Sequence, residues 1–165
     1  MGHSIGDIPE MVRALIADGV AIPAHPLALD KDRKFDPVRQ RALSRYYLDA
    51  GAGGLAVGVH STQFAIREAG LYAPVLERAA RTIDDWVNRP VVMIAGLAGR
   101  TNQALAEAAT AAALGYHAGL LSLAGMKGAG EDALIAHCRA IADRIPLIGF
   151  YLQPAVGGVV LGPSF

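Results

Sequence analysis

Short apolar runs that alternate with amphipathic stretches constrain the fold of this chain more than any other feature. The runs recur about every 30 residues, which is the size of one strand with its crossover helix. They are continuous rather than alternating, as expected for parallel strands that are covered on both faces. We therefore predict a parallel α/β fold with five strands, at Val20–Pro23, Gly54–Gly58, Val91–Ala95, Gly119–Leu123 and Leu147–Tyr151.

The stretches between these runs have the periodicity of helices that pack on a sheet. Leu43–Ala50 and Leu76–Ile83 each carry nonpolar or aromatic residues at positions i, i+3, i+4 and i+7. Pro90 and Pro146 stand at strand entrances, where the missing N–H is tolerated. No low-complexity linker or shift in composition divides the sequence, so residues 1–165 are predicted to form one domain.

Two architectures accommodate five parallel strands and their helices. One is a partial TIM (β/α)8 barrel that ends after strand five, because 165 residues fall well short of the roughly 250 of a typical barrel. The other is a complete five-stranded doubly wound open sheet. The sequence ends with an apolar piece followed by Gly162, Pro163 and Ser164, which is typical of a turn that leads into a further element. We favour the N-terminal portion of a barrel and keep the doubly wound sheet as the alternative.

The composition excludes several classes of partner. Fifteen basic and fifteen acidic side chains cancel, so no net field favours nucleic acid or an anionic membrane surface. No apolar run reaches the ~18 residues needed to span a bilayer, and residues 1–10 lack the pattern of a signal peptide. The one cysteine, Cys138, cannot form an internal disulfide. We expect a cytoplasmic protein without nucleic-acid or membrane partners.

Chemistry is expected at the carboxyl ends of the strands, where parallel α/β folds place their sites. Strand one is followed by His25, and strand two by His60, Ser61 and Thr62. Imidazole and hydroxyl groups can donate hydrogen bonds to a carboxylate or to a developing oxyanion. Strand five ends in the phenol of Tyr151, which could reach a substrate while its backbone stays fixed in a sheet. We predict that these five side chains share one mouth.

The histidines also have other interpretations. The imidazoles of His25 and His60 could be hydrogen-bonded to loop backbone only. They could also be two ligands of a zinc ion, but no predicted strand end supplies an Asp or Glu as a third ligand, so no metal is expected. The lysines lie outside the predicted strands, and none is an evident desolvated amine for Schiff-base chemistry. They are Lys31, Lys34 and Lys127.

From about residue 19 to residue 158 the chain resembles the dihydrodipicolinate synthase and N-acetylneuraminate lyase family of class I aldolase-type (β/α)8 barrels. The resemblance implies that Tyr151, in a segment similar to the family's Tyr-Asn-x-Pro, is the catalytic tyrosine, a proton relay at the reacting keto acid. It implies no cofactor. The segments that carry the resemblance are Pro23–Pro26 with Phe35–Asp36, Ala50–Gly58 and Gly149–Pro154.

The chain also departs from the family pattern. The family's carboxylate-binding loop Gly-Thr-Thr-Gly-Glu reads Gly58-Val-His-Ser-Thr62 here, and His25 replaces the threonine before the first loop proline. The tyrosine that a neighbouring subunit contributes after strand four is absent from Leu123–Lys127. These departures predict a divergent member with another substrate, in which His25, His60, Ser61 and Thr62 bind the substrate.

The resemblance therefore implies a carbon–carbon lyase or aldolase that acts on a 2-keto acid or an aldehyde-derived adduct. The family's imine-forming lysine belongs to strand six, which this sequence does not include, so the chain as given is incomplete for that chemistry. The alternative is a non-catalytic, truncated or repurposed half barrel that binds a small acid or self-associates. In either case we expect a homo-oligomer, because five strands of an eight-stranded barrel leave unpaired edges and an exposed inner face.

Overall fold

The frame of the molecule is a parallel sheet whose strands follow one another in sequence order. The computed structural model describes residues 7–60, 64–150 and 158–162. Every residue of the first two strands is buried, because apolar side chains pack against both faces of the sheet. The described strands are β1 Gly54–Val57, β2 Val92–Leu97, β3 Ala118–Leu121 and β4 Leu147–Ile148.

The order of the strands distinguishes the two predicted architectures. β1 pairs with β2, β2 with β3 and β3 with β4, and each pair is parallel. A doubly wound sheet reverses its strand order at a switch point, and the described strands contain no such reversal. The predicted parallel α/β fold is confirmed, and the order of its open sheet is that of a partial barrel.

The first predicted strand, Val20–Pro23, is not a regular strand. Ala24 forms an isolated parallel bridge with Ala56, and the N–H of His25 donates to the carbonyl of Ala56 at 2.8 Å. Pro23 and Pro26 lack N–H groups, which limits the ladder that this segment can form. The segment runs beside β1 at the sheet edge, so the described sheet has four strands and not five.

Four helices cover one face of the sheet. The side chain of Asp36 caps the first of these helices by accepting hydrogen bonds from the N–H groups of Val38 and Arg39, and Pro37 occupies the first turn. Leu55 and Val57 point toward these helices, and they share one apolar cluster with Leu76 and Ala108. The helices are α2 Pro37–Asp49, α3 Tyr72–Trp86, α4 Thr101–Ala113 and α5 Glu131–Ala142.

A helix that the sequence analysis did not predict packs on the opposite face. This is α1, Glu10–Asp18, whose Val12 is buried with Ile8 against Val92 and Ile94. Ile8 also borders a cleft with Pro146, which immediately precedes β4. Helix α1 therefore covers the inner face near the amino ends of the strands. Among the described helices, none has both the length and the apolar character needed to cross a membrane.

Candidate functional site

At the carboxyl end of the sheet, the backbone of the loop after β1 contacts the end of β2, and the loop after β3 contacts the loop after β2. A Cβ atom added to Gly96 would lie 2.3 Å from the carbonyl oxygen of Gly58, and one added to Gly125 would lie 2.6 Å from the carbonyl carbon of Gly99. Gly58 also has a φ of 71°, which favours glycine. Glycine at these positions lets the three loops form one continuous surface.

An ion pair between Arg67 and Glu107 lies beneath this surface. Nε of Arg67 is 2.8 Å from Oε1 of Glu107, and Nη2 is 2.9 Å from Oε2, so the pair is bidentate. Their side chains are only 9% and 8% exposed. Gln103 Nε2 and the N–H of Ala98 also donate to the carboxylate, at 2.9 and 3.0 Å. The Glu107 carboxylate thus accepts four hydrogen bonds.

Arg67 also joins the ends of two strands. Its Nη1 donates to the carbonyl of Gly58 at 3.2 Å, and its Nη2 donates to the carbonyl of Gly96 at 3.0 Å. The Tyr72 hydroxyl donates to the same Gly96 carbonyl at 2.8 Å. Burial raises the pKa of the Tyr72 phenol, the charge of Glu107 raises it further and Arg67 opposes the shift. Tyr72 therefore stays protonated as a hydrogen-bond donor.

A cleft of about 710 Å³ opens above this network, between the 3₁₀ turns Phe64–Ile66 and Ala124–Met126. Its size is that of a small-molecule site, and its position at the carboxyl ends of parallel strands is where such folds bind ligands. Because Arg67 is neutralised by Glu107, the other carboxylate of the lining, that of Glu68, gives the cleft a net negative formal charge. The lining consists of Phe64, Ala65, Arg67, Glu68, Tyr72, Ala98, Gly99, Gln103, Glu107, Ser122, Ala124 and Gly125.

His60 lies where the sequence predicts, after β1 and exposed at the carboxyl end of the sheet. Its ring meets the Phe64 ring edge to face, with 5.5 Å between the ring centroids. His60 lines a small pocket that also contains Ser122 and Phe150. Phe64 and Ser122 border both this pocket and the larger cleft, so the two cavities are neighbours.

His25 is fully buried. Its Nε2 lies 2.9 Å from Oγ of Ser44, and its Nδ1 lies 2.7 Å from Nε2 of Gln40 and 3.0 Å from the carbonyl oxygen of Pro26. Desolvation lowers the pKa of the His25 imidazole. Among the described residues, His25 lines neither of the two cavities that contain Phe64.

Three of the predicted site residues, Ser61, Thr62 and Tyr151, lie outside the described residues. The roles assigned to all five predicted residues therefore remain predictions. Among residues 7–60, 64–150 and 158–162, no group of three or more His, Cys, Asp or Glu side chains is arranged to hold a metal ion.

Sequence reasoning missed Arg67, Tyr72, Gln103 and Glu107, which build the floor of the cleft. One signal could have found Glu107, because it is the only charged residue in the alanine-rich helix α4. A lone carboxylate on a helix that packs against a sheet needs a buried partner. That partner, Arg67, is 40 residues away in the sequence, so its identity follows only from the fold.

Comparison with solved structures finds the same architecture in larger proteins. CdNal from Clostridium difficile, solved in complex with mannosamine, is 18% identical with a TM-score of 0.77, and the match covers 89% of this chain and 51% of that chain. A sialic acid aldolase from Ruminococcus gnavus, a catalytic lysine mutant, is 22% identical with a TM-score of 0.76 and coverages of 91% and 49%.

YagE from E. coli K12, a prophage protein of the dihydrodipicolinic acid synthase family solved in complex with pyruvate, is 20% identical with a TM-score of 0.73 and coverages of 84% and 46%. This chain thus spans about half the length of the structures it matches. The resemblance predicted from the sequence is confirmed at the level of the fold. No protein-family model and no curated protein sequence matches the chain.

Proposed function

We propose that this chain is part of a divergent carbon–carbon lyase or aldolase of the dihydrodipicolinate synthase and N-acetylneuraminate lyase family, acting on a 2-keto acid. The observation that supports this most is the position of His60. It lies beside a cleft at the carboxyl end of a sheet that shares its fold with an aldolase and with a protein that binds pyruvate. Sites in this fold class lie at that end of the barrel.

In this proposal the loop after β1 binds the carboxylate of the keto acid. The His60 imidazole, with the hydroxyls of Ser61 and Thr62, supplies the hydrogen-bond donors, and Tyr151 relays a proton at the reacting carbon. His25 is buried against Gln40 and Ser44, so it would contribute by holding the backbone around Pro26 and not by touching the substrate.

The reaction class requires an amine that adds to the keto carbonyl and forms an imine. In the family this lysine belongs to a strand that residues 1–165 do not include. The proposal therefore assigns the carboxylate site and the proton relay to this chain, and the imine to additional polypeptide. Since the lining of the larger cleft has a net negative formal charge, the aldehyde component is proposed to be uncharged and hydroxylated and not phosphorylated.

A second function is favoured by a different observation, an apolar cleft of about 340 Å³ beside β4. It is lined by Leu121, Cys138, Ile148 and Phe150, and Phe150 is 45% exposed. Contiguous exposed apolar surface marks an interaction site. A non-catalytic half barrel that associates with a second copy of itself would use this surface, and the apolar lining favours that occupant over a small acid.

Ligand titration tests the lyase proposal. We expect pyruvate to shift the NMR resonances of His60, and His60→Leu to weaken pyruvate binding about tenfold, because the donor of a hydrogen bond to a charged carboxylate is removed. His117→Leu is the matched control, since His117 lies just before β3 at the opposite end of the sheet and accepts from the N–H of Met93.

Borohydride trapping then separates the two functions. A polypeptide that also carries the strand-six lysine should form a reducible pyruvate adduct, which mass spectrometry detects. Absence of both binding and adduct would contradict the lyase proposal. Binding without any adduct in that longer polypeptide would favour the non-catalytic half barrel.

A further inference from the structure

The segment that carries His60 is held on both sides by one side chain, that of Arg67. Before His60, the carbonyl of Gly58 accepts a hydrogen bond from Arg67 Nη1 at 3.2 Å. After His60, the Phe64 ring contacts both the His60 ring, with 5.5 Å between the ring centroids, and the Arg67 guanidinium, whose Cζ is 5.2 Å from the Phe64 ring centroid. A displacement of Arg67 would therefore release both of the groups that flank His60, the Gly58 carbonyl and the Phe64 ring.

Arg67 is poorly suited to bind an anionic substrate directly. Its guanidinium is 9% exposed and is paired bidentately with Glu107. Two further N–H donors are directed at the carbonyls of Gly58 and Gly96. Because its charge is compensated and four of its five N–H donors are occupied, Arg67 has little capacity left for a ligand carboxylate.

Stability alone is also a weak explanation for this pair. Desolvation of two charges largely offsets their attraction, and an apolar pair of similar volume is often as stable. An apolar pair cannot, however, donate to the carbonyls that end β1 and β2. The planar guanidinium, with donors in a fixed fork, can bind Glu107 and both carbonyls at once.

We propose that Arg67 is a positioning residue of the proposed lyase site. Arg67 fixes His60 by holding the Gly58 carbonyl on one side of it and the Phe64 ring on the other. Glu107 orients Arg67, and Gln103 and the N–H of Ala98 orient Glu107. The role of His60 in substrate binding rests on the proposed function. The geometric part of the inference, that Arg67 sets the position of His60, does not.

The decisive variant is the double substitution Arg67→Met/Glu107→Leu, which removes both charges and keeps similar volume. We expect it to fold with a lower melting temperature than the wild type, because the Gly58 carbonyl and the Ala98 N–H lose their partners. We also expect it to lose the NOE between the His60 and Phe64 rings and to bind pyruvate about tenfold more weakly. Arg67→Lys keeps the charge but cannot reach every acceptor, so intermediate values of both readouts are expected.

Arg81→Met is the matched control, because Arg81 forms an exposed ion pair with Glu77 on helix α3. It should change neither the NOE nor the affinity. A double variant that folds and retains both the NOE and the wild-type affinity would overturn the inference. If the double variant does not fold, Arg67→Lys decides on the same two readouts, and an unchanged NOE and affinity there would overturn it.

The two proposals fail in different ways. If wild-type protein does not bind pyruvate, the proposed function fails, and the NOE between His60 and Phe64 still decides whether Arg67 positions His60. If pyruvate binds and the NOE persists without Arg67, only the positioning role is lost.

Discussion

At the scale of single residues, the structure is tested most directly by substituting buried polar side chains, and His25 is the clearest example. Its ring is fully buried beside Ser44 and Gln40, and desolvation lowers the pKa of the imidazole. Below pH 6.5 the unfolded chain takes up a proton at this histidine that the folded chain does not. The titration of His25 therefore leaves the free energy of unfolding unchanged well above pH 6.5 and lowers it as the pH falls below that value.

His25→Gln should remove this dependence on pH. At pH 7.5 we expect the variant to be less stable than the wild type by about 1–3 kcal/mol, because buried hydrogen bonds are lost. The difference should shrink as the pH falls toward 5.5, since only the wild type carries the titrating ring. Urea unfolding at several pH values measures this. Ser44→Ala, which keeps His25, should lower stability and retain the slope, whereas equal slopes for His25→Gln and the wild type would contradict the assignment.

The Arg67–Glu107 pair supports a second prediction at the same scale. Glu107→Gln preserves the shape of the side chain and leaves the Arg67 charge uncompensated in a buried position, which we expect to cost about 3–5 kcal/mol. Glu77→Gln breaks an exposed pair on α3 and should cost about 1 kcal/mol or less. Urea unfolding at pH 7.5 compares the two variants, and equal losses would show that burial does not dominate at this pair.

At the scale of the elements, the contact between the ends of β1 and β2 depends on a missing side chain. Gly96→Ala would place a Cβ 2.3 Å from the carbonyl oxygen of Gly58, so the loop after β1 must move away from the end of β2. We expect a loss of about 1–3 kcal/mol in unfolding free energy, as for other overpacked interiors. Gly149→Ala meets open space and should be nearly neutral. Thermal unfolding of both variants tests this. A Gly96→Ala variant as stable as the wild type would show that the loop after β1 can move away from β2 without cost.

The elements also show what the sequence could and could not predict. β1 to β3 were found because buried parallel strands are continuous apolar runs, and α2 and α3 because their apolar positions repeat at helical spacing. The segment Val20–Pro23 has the composition of a strand, but Pro23, Pro26 and the edge position limit its pairing to the single bridge between Ala24 and Ala56. Helix α1 has apolar residues at helical spacing, Val12, Leu15 and Ile16, but it precedes the first predicted strand and lies on the inner face, so the repeat of strands and crossover helices did not predict it.

The same contrast holds for the candidate site. His60 could be predicted because its position depends only on following a strand. The Arg67–Glu107 network depends on how the loop after β1 meets helix α4, which is a tertiary contact without a local signature. His25 also follows the strand-like segment, yet packing by α2 buries it among Gln40 and Ser44, which the local sequence does not reveal.

At the scale of the whole molecule, the apolar surface beside β4 is the feature from which we predict the behaviour of the chain in solution. Among the described strands, none pairs with the edge of β4 that faces away from β3. Phe150 is 45% exposed beside this edge, and Val160, in the following described segment, is 74% exposed. An unpaired strand edge next to apolar side chains favours association with another chain.

We therefore expect the isolated 165-residue chain to self-associate, and Phe150→Asp to shift it toward monomer because a charge in an apolar interface must be desolvated. Val38→Asp is the matched control, since Val38 is 77% exposed on helix α2, on the other side of the helical layer from the sheet. Sedimentation velocity over a range of protein concentrations measures the distribution. A wild-type chain that sediments as a monomer at every concentration would contradict this prediction, and equal shifts for both variants would place the contact elsewhere than at β4.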